Sequence, residues 1–80
     1  MITVNVQYFA ILREQRGVTV EQLSTAAGTA EALYEELRSR HGFTLPAARI
    51  RAAVNDEFVA PGAALRNGDR VVFIPPVAGG

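Results

Sequence analysis

The residues best suited to chemistry lie in the stretch from Pro75 to Gly80. Pro75 and Pro76 favour a stiff, extended backbone and cannot donate ladder hydrogen bonds, so strand pairing must stop at them. Gly79 and Gly80 have no Cβ and can enter a channel that is too narrow for other residues. The group at the tip is the Gly80 α-carboxylate, a poor acyl donor until a partner activates it. This pattern predicts a C-terminus that is the substrate of another protein, whereas a frayed end without a role is the alternative.

The types and spacing of the side chains elsewhere in the sequence do not predict an active site. His41 is the single histidine, and without carboxylate or thiolate neighbours it predicts a capping or packing role rather than a metal site. Asp56 and Glu57 are adjacent in a predicted turn and point apart, which disfavours a general acid–base pair. Neither GxxxxGK[ST] nor GxGxxG occurs, so no phosphate loop is predicted. We expect no metal and no cofactor to be bound by this chain.

The composition argues against several classes of protein. Eight basic residues balance eight acidic ones, whereas nucleic-acid-binding proteins usually carry a basic excess. The apolar runs are far shorter than the roughly 20 residues that span a bilayer. Residues 1–10 lack the pattern of a signal peptide. The absence of cysteine excludes disulfides and suits a reducing cytosol. We therefore expect a cytoplasmic protein with neither nucleic acid nor membrane as a partner.

The apolar pattern predicts one α+β domain with one main helix and four or five strands. Thr29 is a good N-cap for a helix that is apolar on one face and ends at Gly42. A shorter helical piece begins at Ala10 and is closed by Gly17. Alternating residues and turn signals delimit the strands, which we expect to form one sheet with the main helix on one face. The predicted strands centre on residues 2–8, 18–23, 50–54, 58–59 and 70–74.

Strand alternation predicts an apolar patch on the side of the sheet without a helix. Arg70 marks the outward positions of the last strand, so Val72 and Ile74 also face outward. Phe9 emerges on the same side at the end of the first strand. Two interpretations stay open: a surface for a partner protein, or the scattered surface apolar residues that are ordinary in soluble proteins.

The order of the elements resembles the ubiquitin-like β-grasp fold, in which the first and last strands lie parallel in the middle of the sheet. The motifs resemble one family with this fold, the small subunits of molybdopterin synthase in the MoaD/ThiS group of sulfur carriers. The segment from Phe9 to Gly17 resembles the family's FFA-x-[LV]-RE-x-x-G opening. Val54-Asn55 and Gly68-Asp69 resemble its VN and GD pairs, and Pro75 to Gly80 resembles its more specific PPV-[ST/A]-GG ending.

Two positions depart from this resemblance. Tyr8 stands where Phe is common, and Ile74 stands where an aromatic residue is frequent. The change at Ile74 softens the expected contact with a partner.

The resemblance implies a role for the terminus. An E1-like enzyme that uses ATP would adenylate the Gly80 carboxylate, and a sulfur donor would convert it to a thiocarboxylate. The tail would enter the large subunit of the synthase, within a heterotetramer, where the sulfur attacks cyclic pyranopterin monophosphate. The implied tail residues are Pro75, Pro76, Val77, Ala78 and Gly79, and the implied docking residues are Phe9, Val72 and Ile74.

The sequence also predicts the limits of the domain and leaves other functions open. Residues 1–75 should form the domain and residues 76–80 a flexible, extended tail. A sulfur carrier for thiamine is the nearest rival, although that family is usually shorter and lacks the PPV before its glycines. A carrier for tRNA thiolation is harder to exclude. A ubiquitin-like protein modifier, or an interaction domain without an activated terminus, is the alternative from a different class.

Overall fold

The computed structural model describes residues 1–76, which contain five strands and two α-helices. In chain order the elements are β1 (Ile2–Tyr8), α1 (Ala10–Arg16), β2 (Val20–Thr25), α2 (Ala30–His41), a 3₁₀ helix (Ala47–Arg49), β3 (Arg51–Val54), β4 (Glu57–Val59) and β5 (Arg70–Ile74). The predicted tail beyond Pro76 lies outside the described residues.

All five strands form one mixed sheet in the order β2-β1-β5-β3-β4. β1 and β5 run parallel in its middle, where Val6 faces Val71 and Tyr8 faces Phe73. The remaining neighbours are antiparallel. This topology confirms the single sheet and the central parallel pair that the β-grasp resemblance implied.

The core lies between the sheet and α2, as the alternation in β1 predicted. Val4, Val6 and Tyr8 are fully buried on this side, and Leu33 and Leu37 of α2 pack over them. The helix begins where the Thr29 hydroxyl oxygen accepts a hydrogen bond from the Ala32 amide at 3.1 Å. It ends at Gly42, whose φ of 71° places it in the left-handed region. Both ends of the main helix are therefore confirmed.

The second strand begins later than predicted, and its register with β1 sets its orientation. It begins at Val20, and Val18 lies before it in the connection from α1. Pairing with β1 sets Glu21 opposite Val6 and Leu23 opposite Val4, so Glu21 and Leu23 point toward the core side. Val20 pairs with Gln7 and points to the other side. The apolar residues that indicated the strand therefore do not share its inner face, because the register with β1 decides the orientation.

The connection between β3 and β4 is one residue tighter than predicted. Glu57 already pairs with Val54, which leaves Asn55 and Asp56 as a two-residue turn. Both have positive φ, 52° and 73°, as a type I′ hairpin turn requires, and Asn and Asp tolerate this region better than most residues. The turn fixes the register of the whole hairpin.

Candidate docking face and tail exit

The tail leaves the domain from the middle of the sheet. β5 is bonded to β1 on one side and to β3 on the other, and its last residue, Ile74, faces Arg51 of β3. Pairing stops there, before the prolines, as predicted. Pro75 is buried and Pro76 is exposed. The strand between two neighbours and the buried Pro75 therefore hold the root of the tail in a fixed place.

The start of β5 is anchored by the residues of the VN and GD pairs. Asn55 donates from Nδ2 to Asp69 Oδ1 at 2.9 Å, and its Oδ1 accepts from the Arg70 amide at 3.0 Å. The Gly68 amide donates to the Thr3 carbonyl at 2.7 Å. These bonds tie β5 to the β3–β4 turn and to β1. The motif residues lie at the opposite end of β5 from the tail, so their role is to position the strand.

One row of side chains crosses the face of the sheet that has no helix. Register pairs Val20 with Gln7, Gln7 with Val72, Val72 with Ala53, and Ala53 with Phe58. Directly paired residues project to the same side of a sheet. The row therefore runs across all five strands and confirms the predicted outward orientation of Val72.

We name the apolar side chains on this side the open-face patch. Its members are Phe9, Val20, Ala53, Phe58, Val72 and Ile74. Phe58 and Val20 are well exposed at the two edge strands, with exposed fractions of 62% and 58%. Val72 and Ile74 are half-buried between their neighbours. Ala53 is nearly buried but lies outside the core cluster, as expected for a small residue flanked by larger ones.

Phe9 joins the patch through the bend between β1 and α1. Its backbone is extended, with φ −122° and ψ 152°, so the alternation of β1 continues for one more residue and Phe9 projects away from the core. Ala10 then adopts φ 52°, a left-handed conformation that costs a non-glycine residue about 1–2 kcal/mol. Phe9 is 40% exposed. The orientation of Phe9 agrees with the prediction, and its role in docking stays a prediction.

Sequence reasoning missed the outer members of the patch. The sequence places Phe58 in a short strand without indicating which side it faces, and it gives no signal that Val20 and Ala53 lie on the open face. The signal that locates Phe58 is the two-residue Asn55–Asp56 turn, because it forces Ala53 and Phe58 to face each other. The guanidinium of Arg51 lies 4.8 Å from the centre of the Phe58 ring, within the range of a cation–π contact.

A polar cluster of Tyr8, Arg16 and Glu21 lies on the other side of β1 and has a structural role. Arg16 donates two hydrogen bonds to the Glu21 carboxylate, at 2.8 and 2.9 Å, and the Tyr8 hydroxyl donates a third at 2.5 Å. The bonds from Arg16 hold the pKa of Glu21 below its usual value. Burial, aided by Glu21, raises the pKa of Tyr8, so the phenol stays protonated and donates. The cluster joins α1, β1 and β2.

His41 takes the packing role that the sequence predicted. Its ring is half-buried and lies 5.8 Å from the ring of Phe43, and burial lowers its pKa. Within residues 1–76, no three His, Asp or Glu side chains are grouped to hold a metal ion. No helix in that part of the chain is long and apolar enough to cross a membrane.

Comparison with known proteins decides the family. The model of the ThiS family matches residues 6–80, which include the open-face patch, the whole of β5 and the glycine pair. The chain belongs to the ThiS family. The match confirms the resemblance that the motifs indicated.

Individual ThiS-family relatives are similar over nearly their whole length. The molybdopterin synthase sulfur carrier subunit of Haemophilus influenzae is 37% identical, with 95% of this chain and 98% of that protein covered. The protein of the same name from Mycobacterium tuberculosis is 39% identical, with 100% of each covered. The match to the Mycobacterium tuberculosis protein spans the whole chain and therefore includes the proline and glycine pairs.

Solved structures confirm the ubiquitin-like β-grasp fold. SAMP1 from Haloferax volcanii superposes with a TM-score of 0.77 at 25% identity, covering 98% of this chain and 99% of that one. Subunit 1 in the complex of subunits 1 and 2 of molybdopterin-converting factor from Helicobacter pylori gives a TM-score of 0.66 at 22% identity, covering 99% and 100%. These likenesses extend over the entire domain.

Proposed function

We propose that this ThiS-family chain carries sulfur for molybdopterin synthesis as a thiocarboxylate on Gly80. The observation that carries the proposal is the full-length similarity to curated molybdopterin synthase sulfur carrier subunits. The geometry is consistent with it, because a tail rooted in a central strand emerges beside an apolar sheet face. A docked partner would then have the tail in reach without any rearrangement of the domain.

The chemistry takes place in two steps at the Gly80 carboxyl group. A carboxylate oxygen attacks the α-phosphorus of ATP and pyrophosphate leaves, which gives an acyl adenylate. A sulfur donor supplies sulfide, which attacks the acyl carbon; AMP leaves, and a thiocarboxylate results. In this proposal ATP is bound by the E1-like activating enzyme, and we expect this chain to bind no cofactor of its own. Because the chain has no cysteine, the thiocarboxylate would be its reactive sulfur.

The large subunit of the synthase is the proposed acceptor of the tail. The curated relatives are named as subunits, and the Helicobacter pylori protein was solved together with its subunit 2. In this proposal the open-face patch docks, Pro75 and Pro76 direct the chain outward, and residues 77–80 enter the partner. Within a cytoplasmic heterotetramer, the sulfur then attacks cyclic pyranopterin monophosphate. Water hydrolyses the bond between the Gly80 acyl carbon and the sulfur, which leaves the sulfur on the pterin and returns the Gly80 carboxylate.

A protein-modifier function is the alternative that a specific observation favours. SAMP1, to which this chain is similar in fold, is a small archaeal modifier protein, and this likeness supports the alternative. In a modifier the activated Gly80 acyl group passes to an amine of a second protein rather than giving up sulfur. Carriers for thiamine or tRNA thiolation share the thiocarboxylate and differ in the acceptor.

Reconstitution separates these functions. The thiocarboxylated chain is mixed with the large synthase subunit from the same organism and with cyclic pyranopterin monophosphate. Formation of molybdopterin, with the carrier returned to its carboxylate form, is the expected result. No molybdopterin from a demonstrably thiocarboxylated carrier and an active large subunit would contradict the molybdenum function. Covalent adducts with other proteins would instead support the modifier function.

A further inference from the structure

Arg51 lies on the open face directly beside the root of the tail. It is the register partner of Ile74, the last residue of β5, and Ile74 projects to the open face. Arg51 therefore projects there too, and its side chain is exposed. A protein that covers the patch and receives the tail must pass close to this guanidinium.

Among the strand positions of the open face, Arg51 is the charged residue without an ion-pair partner in residues 1–76. These positions hold two charged residues, Arg51 and Arg70, and the second forms an ion pair with Asp56. The ion pairs within residues 1–76 do not include Arg51. The face is otherwise apolar or neutral near the tail, so it presents one positive charge at its tail end.

The guanidinium is held in place by an aromatic ring. It lies 4.8 Å from the centre of the Phe58 ring, and stacking leaves the N–H groups at its edge free to bind an acceptor. A stacked arginine loses less conformational entropy on binding than a mobile one. The pair of Arg51 and Phe58 thus combines an apolar surface with a preset donor.

In a docked complex, an extended tail would carry its tip too far from Arg51 to be the partner of this charge. Residues 75–80 span about 20 Å when extended, so a tail inserted into another protein carries the Gly80 carboxyl group well away from Arg51. The group that meets Arg51 then belongs to the mouth of the opening. Arginine binds planar carboxylates with two parallel hydrogen bonds, which makes an acidic side chain the fitting contact.

We propose that Arg51 pairs with a carboxylate on the rim of the partner's tail-receiving opening and so contributes to the choice of partner. This inference rests on the proposed function, in which such a partner is the large synthase subunit. The pair would be partly desolvated, between the apolar patch and the partner surface, where a charge pair contributes more than on an open surface. Its contribution is to docking and does not extend to the sulfur chemistry at Gly80.

Calorimetry tests the proposed pair. It measures the Kd of the chain for the large subunit from the same organism at low and high sodium chloride. Arg51→Gln should raise Kd about tenfold at low salt and flatten its salt dependence, because one attractive charge pair is lost. Arg66→Gln is the matched control: it removes the same charge near the far end of β5 and should leave both quantities unchanged. Arg51→Lys should recover part of the affinity. Urea unfolding verifies that each variant is folded.

The outcomes are distinguishable. If Arg51→Gln matches wild type in Kd and in salt dependence, the inference is wrong while the proposed function stands. A weaker affinity with an unchanged salt dependence would mean that Arg51 acts through its packing on Phe58. That result would also overturn the proposed pair with a carboxylate of the partner. If the wild-type chain does not bind the large subunit at all, the proposed function fails, and this inference with it.

Discussion

The carboxamide of Asn55 donates a hydrogen bond to Asp69 at 2.9 Å and ties the β3–β4 turn to the start of β5. The same side chain accepts a hydrogen bond from the Arg70 amide at 3.0 Å. Since β5 ends at the root of the tail, Asn55 helps to set the strand that positions the tail. Asn55 bonds to the start of β5, and the tail leaves from the other end of the same strand.

Replacing Asn55 with alanine should lower the free energy of unfolding by about 2 kcal/mol. Both hydrogen bonds are lost, and alanine adopts the φ of 52° less readily than asparagine. Urea denaturation measures the change. Asp56→Asn is the control, since it keeps a turn-forming residue and removes only the exposed pair with Arg70, for a change below about 0.5 kcal/mol. Equal losses in the two variants would place the effect in the turn itself.

The Glu21 cluster predicts a pH-dependent stability. The pKa of Glu21 is lowered in the folded chain, first by hydrogen bonds from Arg16. A lowered folded pKa gives stabilisation that is present above the unfolded pKa, about 4.3, and is lost as the pH falls through the folded value. Glu21→Gln should therefore be less stable than wild type at neutral pH.

The difference between Glu21→Gln and wild type should shrink steadily in acid. Urea unfolding followed from about pH 7 to pH 3 reports it. Glu14→Gln is the control, because it removes an exposed carboxylate from α1, the helix that also holds Arg16, and it should show little difference at either pH. A Glu21→Gln deficit that persists unchanged in acid would mean that packing, rather than charge, holds the cluster.

The ends of α2 and the core-facing side of β1 could be predicted from the sequence. The orientations of Val20 and Phe58 could not, for physical reasons. Thr29, Gly42 and the alternation of β1 mark their elements locally, and the structure has them as predicted. Val20 was not oriented, because the pairing of β2 with β1 decides its side. Phe58 was not placed on the patch, because its side depends on the length of a turn that was predicted one residue too long.

Part of the candidate site could likewise be predicted from the sequence, and part could not. The outward orientation of Val72 and Ile74 followed from alternation along one strand. The joining of Phe58 and Arg51 to that strand depends on contacts between strands, and no local pattern encodes them. Residues 77–80 lie outside the described part of the structure, so their role stays a prediction from the sequence and the family.

Val72→Thr should weaken binding to the large subunit by about 1 kcal/mol while changing stability little. The substitution keeps the β-branched shape and places a hydroxyl in the middle of the open-face patch, where docking would desolvate it. Binding is measured by calorimetry. Val18→Thr makes the same change at an exposed position outside the sheet and should bind as wild type. Equal binding by both variants would argue against the patch as the docking face.

Gly79→Val should abolish adenylation of the chain by its activating enzyme. A branched side chain next to Gly80 fills the narrow path that the glycine pair leaves free. Release of pyrophosphate measures the step. Gly28→Val is the matched control, because a Cβ at Gly28 meets no atom within 4 Å and its backbone needs no positive φ. Normal adenylation of Gly79→Val would remove the narrow channel from the mechanism.

The most direct test of the central claim is the intact mass of the chain after incubation with its activating enzyme, ATP and a sulfur donor. The account predicts a mass increase equal to the difference between one sulfur and one oxygen atom, located in a C-terminal fragment that contains Gly80. A chain without Gly80 should keep its mass. An unchanged mass in the full chain, with an enzyme shown to be active on another carrier, would contradict the sulfur-carrier function.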